Sequence, residues 1–284
     1  MMDNCTVCPR HCAANRINEL GFCKAPLDPV IASIMAHRGE ERIISGSRGS
    51  GTIFFAGCNL GCVFCQNYDI SQSCEGTPVT PSRLAEVFLE LERSGVHNVN
   101  LVTPGHFVPQ IAEAIKQAKE NGIKIPFVYN SNGYDALSSL KLMDGLIDIY
   151  MPDLKYADDS YGQRYSNVPD YFLVAQEALK EMYKQVGDPV IRDGVMKKGV
   201  LIRHLVMPGL IDDSMEVLNW IKINLPTAIV NLMDQYRPAY LARKFKEINR
   251  PLTTYEYQSV AAYFSELGLQ GEAEASHKRG EAYE

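Results

Sequence analysis

The chain has no surplus of basic residues, no long apolar run and no secretion signal at its start. Its 28 Lys and Arg residues are outnumbered by 34 Asp and Glu residues, which argues against a nucleic-acid surface. No apolar run approaches the length of a membrane span, and the first residues lack the charged and apolar regions of a signal peptide. We therefore expect a cytoplasmic protein that binds neither nucleic acid nor membrane.

The composition indicates an ordinary globular chain with a substantial core. Of 284 residues, 46% are hydrophobic and 22% are charged, values typical of soluble domains. A chain of this length is compatible with a single α/β barrel. The eight cysteines are better explained by metal binding than by disulfides, because the cytoplasm is reducing.

Three cysteines lie on one loop directly after a predicted strand. The apolar run 53–56, bounded by glycines, predicts a short buried strand. Cys58, Cys62 and Cys65 follow it with the spacing C-x3-C-x2-C. A four-iron cluster normally takes four cysteines, so three on one loop predict an iron left open for another ligand. The alternatives are a zinc knuckle and three cysteines that only fill space.

A second group of cysteines precedes this loop. Cys5, Cys8, Cys12 and Cys23 have the spacing C-x2-C-x3-C-x10-C. Four thiolates at these separations can form a tetrahedral zinc site or hold a second iron–sulfur cluster. Both metals remain open, because soft thiolate sites accept either. We predict a cysteine-rich, metal-binding extension over residues 1–45.

After the cysteine loop, strands and helices alternate through most of the chain. Apolar spacing predicts strands over 98–103, 125–129, 146–151, 200–207 and 227–232, and helices over 81–95, 108–121, 135–143, 159–165, 171–186, 213–223 and 254–267. A hairpin is predicted from 32–36 and 40–44, and a frayed tail from residue 271. Six strands, each followed by a helix, predict parallel βα units. We therefore predict an α/β fold, a partial (βα)6 TIM-like barrel over residues 46–250, with a C-terminal helix and flexible tail over 251–284.

Polar residues follow the ends of the predicted strands. They are Thr103 and His106 after the second strand, Asn130 and Asn132 after the third, Asp153 and Lys155 after the fourth, Arg203 and His204 on the fifth, and Tyr236 and Arg237 after the sixth. In a βα barrel such side chains converge on one face, which predicts a site for a polar ligand. Strand alternation sends Arg203 and His204 to opposite faces, and we expect Arg203 to face the barrel interior.

The cysteine loop, with Phe64 before its last cysteine, resembles that of the radical S-adenosylmethionine (SAM) superfamily. Five further phrases recur as a set in the branch related to pyruvate formate-lyase activating enzyme. They are NLVTP (100–104), VYNSNGY (128–134), IYMPDLKY (149–156), IRHLVMPG (202–209) and MDQYRP (233–238). The N-terminal cysteine group is similar to that branch as well, so the likeness covers residues 1–240.

The resemblance implies a cofactor pair and a ligand set. In this family a [4Fe-4S] cluster on three cysteines leaves one iron for SAM, which an electron splits into methionine and a 5′-deoxyadenosyl radical. Carried over residue by residue, the resemblance implies that Cys58, Cys62 and Cys65 bind the cluster and that Phe64 packs near the adenine. It places Thr103 at the SAM amino group and Asn130 and Asn132 at the ribose. It also implies that Lys155, beside Asp153, meets the SAM carboxylate and that Arg203 matches an arginine of the fifth strand. Thr103-Pro104-Gly105-His106 stands where the family has Gly-Gly-Glu.

The resemblance also implies an enzyme of the oxidoreductase class with a low-potential electron donor such as flavodoxin or ferredoxin. Two substrates are open: a glycine in a partner protein, as in glycyl-radical activation, and a small metabolite or peptide. Two non-catalytic alternatives are an iron–sulfur electron-transfer protein and a zinc-stabilised scaffold. A ferredoxin needs no six βα units with polar strand ends, which favours the enzyme.

Overall fold

The computed structural model describes residues 3–273, which form one ten-stranded sheet covered by helices. The strands are β1 Val30–His37, β2 Ser50–Phe55, β3 Thr77–Pro78, β4 Val99–Val102, β5 Phe127–Ser131, β6 Ile149–Pro152, β7 Val190–Arg192, β8 Val195–Leu205, β9 Ile229–Met233 and β10 Gln270–Glu272. The helices are α1 Arg42–Ser45, α2 Tyr68–Ser73, α3 Pro81–Arg93, α4 Val108–Glu120, α5 Leu137–Leu142, α6 Asp159–Ser166, α7 Tyr171–Val186, α8 Ile211–Asn224 and α9 Thr254–Glu266.

The strand order is β10-β9-β8-β6-β5-β4-β2-β1-β3, with β7 paired to β8 off this path. The six predicted strands, β2, β4, β5, β6, β8 and β9, pair in parallel with their neighbours. Between residues 3 and 273 the two edges of the sheet do not pair, so the barrel stays open. The predicted partial barrel is therefore confirmed, whereas the division into three domains, over residues 1–45, 46–250 and 251–284, stays a prediction.

Strand alternation divides the core into two regions. Side chains such as Leu101 and Tyr129 point outward and pack in the larger apolar cluster beneath the helices. Their sequence neighbours point inward, where a smaller cluster fills part of the barrel interior. That cluster comprises Ile44, Val128, Ile149, Met151, Met196, Leu201 and Ile229. The inner face of the sheet is thus apolar where this cluster lies. Polar side chains such as Asn100, Asn130 and Asn231 occupy other positions on the same face.

The predicted hairpin of 32–36 with 40–44 is wrong. β1 is longer than predicted and pairs antiparallel with β2 instead. The segment after β1 turns into the short helix α1, whose Ile44 is fully buried in the inner cluster. Glu40 and Glu41, just before α1, make contacts inside the barrel with Asn100 and Asn231. These tertiary contacts, absent from any local pattern, override the strand propensity of the segment.

Three short strands, β3, β7 and β10, were missed by the sequence analysis. β3 has two residues and pairs antiparallel with β1 at the edge of the sheet. β7 forms a hairpin with β8 through Asp193-Gly194, both at positive φ, the conformation that two-residue hairpin turns favour. Strands of two or three residues are too short to show an alternating pattern, so only pairing with a longer strand defines them.

The third of these strands, β10, corrects part of the predicted frayed tail. It pairs in parallel with β9, so residues 271 and 272 do not fray; the rest of the predicted tail, from residue 274, lies outside the described residues. A Cβ at Gly271 would lie 1.9 Å from the Val230 carbonyl oxygen, so only glycine allows this approach. Among residues 3–273, no helix combines the length and apolar character that crossing a bilayer requires.

Glu256 connects the first turn of α9 to the loop after β8. Its carboxylate accepts hydrogen bonds from the Gly209 backbone N–H at 2.7 Å, from the Thr253 N–H and hydroxyl at 3.0 and 2.7 Å, and from the Arg250 guanidinium at 2.7 and 2.8 Å.

Glu256→Gln replaces one acceptor oxygen by an amide donor that faces other donors. We expect a loss of about 1–3 kcal/mol in the free energy of unfolding, measured by urea denaturation. Glu266→Gln, at an exposed position of the same helix, is the control; equal midpoints for the two variants would contradict this role.

Candidate functional site

The cysteine loop begins directly at the end of β2. Gly57 has a φ of 82°, and a Cβ there would lie 2.4 Å from the Cys23 carbonyl oxygen. Only glycine fits this turn, because the chain bends sharply while it passes the N-terminal segment. The loop carrying Cys58, Cys62 and Cys65 is therefore packed against the segment that carries the other four cysteines.

Each of the three loop thiols has a polar neighbour. Cys58 Sγ accepts from the Leu60 N–H and from Asn132 Nδ2, both at 3.4 Å, Cys62 Sγ lies 3.1 Å from the Ser166 hydroxyl, and Cys65 Sγ lies 3.3 Å from the Ser71 hydroxyl. Hydrogen bonds to cysteine sulfurs stabilise the thiolate and tune iron–sulfur clusters. The donor set and its surroundings thus fit the cluster that the resemblance implies.

Burial changes the pKa of two of these thiols, Cys58 and Cys62. It raises the pKa of Cys58 to about 12 and also raises that of Cys62, while the charge of Lys155 acts in the opposite direction on Cys62. Buried thiols of this kind keep their protons until a metal replaces them. Across residues 3–273, no three His, Cys, Asp or Glu side chains are close enough to hold a single metal ion.

The N-terminal cysteines gather beside this loop. Cys5, Cys8 and Cys23 are buried and Cys12 is exposed. Burial raises the pKa of Cys8 to about 12, and the nearby thiols of Cys23, Cys5 and Cys12 add to the increase. The four side chains are therefore neighbours, as their spacing predicts, but metal binding by them stays a prediction.

Arg10 joins the two cysteine groups, a contact that the sequence analysis missed. Its guanidinium donates to the backbone carbonyls of Asn59, in the cysteine loop, and of Asn167, the latter at 2.9 Å. It also lies 3.3 Å from the ring centroid of Phe22, a cation–π contact. No local pattern marks this arginine, because both of its carbonyl partners are distant in sequence.

Three of the predicted ligand residues form one charged network at the strand ends. Asp153 binds Lys155 Nζ through one oxygen at 2.6 Å and Arg203 Nε through the other at 2.9 Å. Arg203 Nη2 also donates to Asn130 Oδ1 at 2.8 Å. Burial alone would raise the pKa of Asp153, but the charges of Arg203 and Lys155 hold it below its usual value.

The predicted orientations on β8 are confirmed. Arg203 faces the interior through its contacts with Asp153 and Asn130, whereas His204 faces the helices. The His204 ring lies 2.6 Å from the Leu154 carbonyl and 2.9 Å from the Ser214 hydroxyl. Burial lowers the pKa of His204 to about 4, so this ring is a neutral packing residue.

Phe64, Asn132 and Thr103 lie at the same face. Phe64 is buried with its ring 6.0 Å from that of Tyr236. Asn132 donates to Cys58 and to Asn59 Oδ1, the latter at 2.7 Å, so its amide is at the cysteine loop. Thr103 has a φ of 58°, a conformation that is rare for a β-branched residue and is typical of functional sites.

Two acidic residues of the barrel interior were not connected to the site by the sequence analysis. Glu40 and Glu41 lie 3.7 and 3.9 Å from Arg203 Nη1, so the charged network extends into the barrel. Their neighbours in the sequence are Gly39 and the four-residue helix α1. Neither neighbour indicates that the two acids are buried.

Solved structures that share this fold include two proteins with bound S-adenosylmethionine. SuiB of Streptococcus suis, bound to S-adenosylmethionine, aligns with a TM-score of 0.51 at 13% identity over 78% of this chain and 45% of its own. The protein anSMEcpe, histidine-tagged and with bound AdoMet, aligns with a TM-score of 0.50 at 11% identity over 76% of this chain and 60% of its own. This chain thus spans about half the length of these proteins, and the likeness is one of fold.

Comparison of sequences gives the family. Uncharacterized protein MJ0674 of Methanocaldococcus jannaschii is 36% identical over 267 residues, which cover 90% of this chain and 73% of that protein. Uncharacterized protein MJ0808 of the same organism is 22% identical, over 83% of this chain and 71% of that protein. Residues 52–221, from β2 to α8, match the sequence model of the Radical SAM superfamily. The chain belongs to the radical SAM superfamily.

Proposed function

We propose that this protein is a radical SAM enzyme in which Cys58, Cys62 and Cys65 hold a [4Fe-4S] cluster. When bound, the cluster supplies the electron that splits SAM into methionine and a 5′-deoxyadenosyl radical, which takes a hydrogen atom from the substrate. The observation that carries this proposal is the meeting of two features at one end of the sheet. The three-thiol loop and the Asp153 network approach each other closely enough for the Lys155 charge to lower the pKa of Cys62 against the effect of burial.

The charged residues would bind the methionine part of SAM. The charge of Lys155 reaches Cys62 of the cysteine loop, where it acts against the effect of burial on the pKa of this thiol, and the Lys155 side chain is only 14% exposed. It would meet the SAM carboxylate, with Asp153 holding it in place. Thr103 and neighbouring backbone carbonyls would accept from the amino group, since the segment 103–106 has no acid. Such preorganised charges need no rearrangement when the ligand arrives.

The remaining site residues would hold the nucleoside. Phe64 would pack against the adenine, and Asn130 is available for a ribose hydroxyl beside Arg203. Asn132 would donate a hydrogen bond to a cysteine sulfur of the cluster, because its amide already donates to Cys58 Sγ. The apolar inner cluster of the barrel would limit the access of water, which would protect a reactive radical from side reactions.

The likeness to the branch related to pyruvate formate-lyase activating enzyme supports two substrate classes. One is a glycine in a partner protein, and the other is a small metabolite or peptide. The electron would come from a low-potential carrier such as flavodoxin or ferredoxin, in the reducing cytoplasm. A cavity of about 230 Å³, lined by residues that include Glu41, Ile229 and Asn231, favours the small molecule.

The four N-terminal cysteines would hold a second metal site, either zinc or a second cluster. Their place against the cysteine loop supports a role close to the first cluster, through the contact of Gly57 with Cys23 and through Arg10.

Removing the loop thiols tests the cluster assignment. With Cys58, Cys62 and Cys65 changed to Ala, we expect no 5′-deoxyadenosine from SAM and dithionite, because no ligand remains for the cluster. The product is measured by chromatography after anaerobic reconstitution. Cys74→Ala removes a half-buried thiol that belongs to neither group, and should keep the activity. Product formation by the triple variant would rule out this site.

Lys155 tests the SAM site. Lys155→Met removes the cation while keeping the length of the side chain. A charged hydrogen bond contributes about 1.5–3 kcal/mol, so we expect the Kd for SAM to rise by about 10- to 100-fold. The Kd is measured by calorimetry on the reconstituted protein. Lys180→Met, on the exposed face of α7, is the control, and a Lys155→Met protein with the wild-type Kd would contradict the role of Lys155.

Metal analysis tests the N-terminal site. We expect Cys8→Ala to lower the metal content by about one zinc or by about four irons with their sulfides. The iron bound by the Cys58 loop should persist, because that loop is intact. Zinc, iron and sulfide are measured per chain after anaerobic purification, with Cys74→Ala as the control. Equal metal contents in Cys8→Ala and wild type would exclude a metal at these cysteines.

A further inference from the structure

Glu40 and Glu41 enter the barrel interior from the connection between β1 and α1. Glu40 Oε2 accepts from Asn100 Nδ2 at 2.7 Å, and Glu41 Oε1 accepts from Asn231 Nδ2 at 3.0 Å. Their side chains are only 11% and 9% exposed. Acidic side chains are seldom buried in this way unless they are paired, so their charges must be compensated.

The charges in the ion-pair network around Arg203 do not balance when every group is ionised. Three acids, Glu40, Glu41 and Asp153, face two cations, Arg203 and Lys155. Burial and the charge of Glu41 raise the pKa of Glu40 well above its usual range. The raised pKa favours the protonated form of Glu40, and a proton there neutralises the one surplus negative charge. A cationic group of a ligand would do the same.

Two buried acceptors in this region have no hydrogen-bond donor within residues 3–273. They are Glu41 Oε2 and Asn100 Oδ1, and Asn100 is fully buried. The proton of Glu40 can serve only one of them. An unsatisfied buried acceptor costs about 1–3 kcal/mol, and a ligand N–H that reaches Glu41 Oε2 would remove that cost there.

A cavity of about 230 Å³ adjoins Glu41, one member of this acidic pair. Glu41 and Asn231 supply its polar lining, and Ile43, Ile191, Leu201 and Ile229 supply apolar walls. Glu272 of β10 adds a second carboxylate. The cavity therefore combines acceptors with a hydrocarbon surface, which suits an amphipathic cation; a bare metal ion would make no use of the apolar walls.

We propose that this cavity binds an aliphatic primary amine, with its ammonium group on Glu41 and its hydrocarbon chain between the isoleucines. The amine would be the substrate of the reaction, or the part of it that fixes its position, and this assignment rests on the proposed function. Arg203 links the two sites, because it contacts the acidic pair and also Asp153. The same lining disfavours a carboxylate ligand, which would meet two acids.

The test uses two small probes of equal length on the full chain. Hexylammonium and hexanoate are titrated against the protein, and binding is measured by saturation-transfer NMR, which needs neither cluster nor SAM. We expect hexylammonium to bind and hexanoate to bind at least tenfold more weakly. Glu41→Gln should weaken hexylammonium binding at least tenfold, whereas Glu86→Gln, on the exposed face of α3, should leave it unchanged.

A second variant keeps the test valid if Glu41→Gln fails to fold. Ile191 is 49% exposed, so Ile191→Trp should be tolerated while its ring fills the cavity, and hexylammonium binding should again fall at least tenfold. Failure of hexylammonium to bind, equal binding of hexanoate, or unchanged binding in folded variants would overturn the proposal. Failure of the proposed function is separate, since it would appear as absent 5′-deoxyadenosine in a protein that still binds the amine.

Discussion

The ion pair between Asp153 and Arg203 is the interaction on which the strand-end face of the barrel depends. Backbone pairing of β6 with β8 extends only over Ile149 and Tyr150. The two strands meet again at Asp153 and Arg203, through a backbone bridge and the bond from the Leu154 N–H to the Arg203 carbonyl at 2.9 Å. The ion pair between the same two side chains lies at this second contact. Loss of either Asp153 or Arg203 would leave a buried charge uncompensated, which would lower the free energy of unfolding by about 3–5 kcal/mol. The charged network therefore holds two strand ends together as well as positioning Lys155.

Charge balance links this network to a distant part of the chain. Arg203 has Asp153 on one side and the Glu40–Glu41 pair on the other. The pair reaches the barrel interior because the chain after β1 forms α1, with Ile44 in the inner apolar cluster. The helix thus has two effects, since it fills the interior with Ile44 and introduces two acids. One buried arginine consequently connects the segment before the cysteine strand to Asp153 and Lys155 at the strand ends.

Most of the parallel strands and helices could be predicted from the sequence, because their signals are local. The apolar period of α7 predicts Tyr171–Val186, the helix observed, and the cysteine spacing predicts the thiol loop. The misses have a common physical cause. α1 has four residues and β10 has three, too few for any period to appear. Glu40 and Glu41 look like surface acids, since their partners Asn100 and Asn231 are 60 and 190 residues away. Contacts over such separations become visible only when the sheet is assembled.

The segment Thr103-Pro104-Gly105-His106 has a structural reason for lacking an acid. Its His106 ring is buried and lies 2.8 Å from the carbonyl of Ala56, the residue before the cysteine loop. Burial lowers the pKa of His106 to about 4, so above that pH the ring is neutral and Nε2 donates to this carbonyl. The bond ties the β4 end to the start of the cluster loop with a strength that does not vary near neutral pH. The strained φ of Thr103 turns the backbone at the same place. A carboxylate at position 106 would have no proton to donate to Ala56, so the bond that ties the end of β4 to the start of the cysteine loop requires a donor such as the His106 ring at this position.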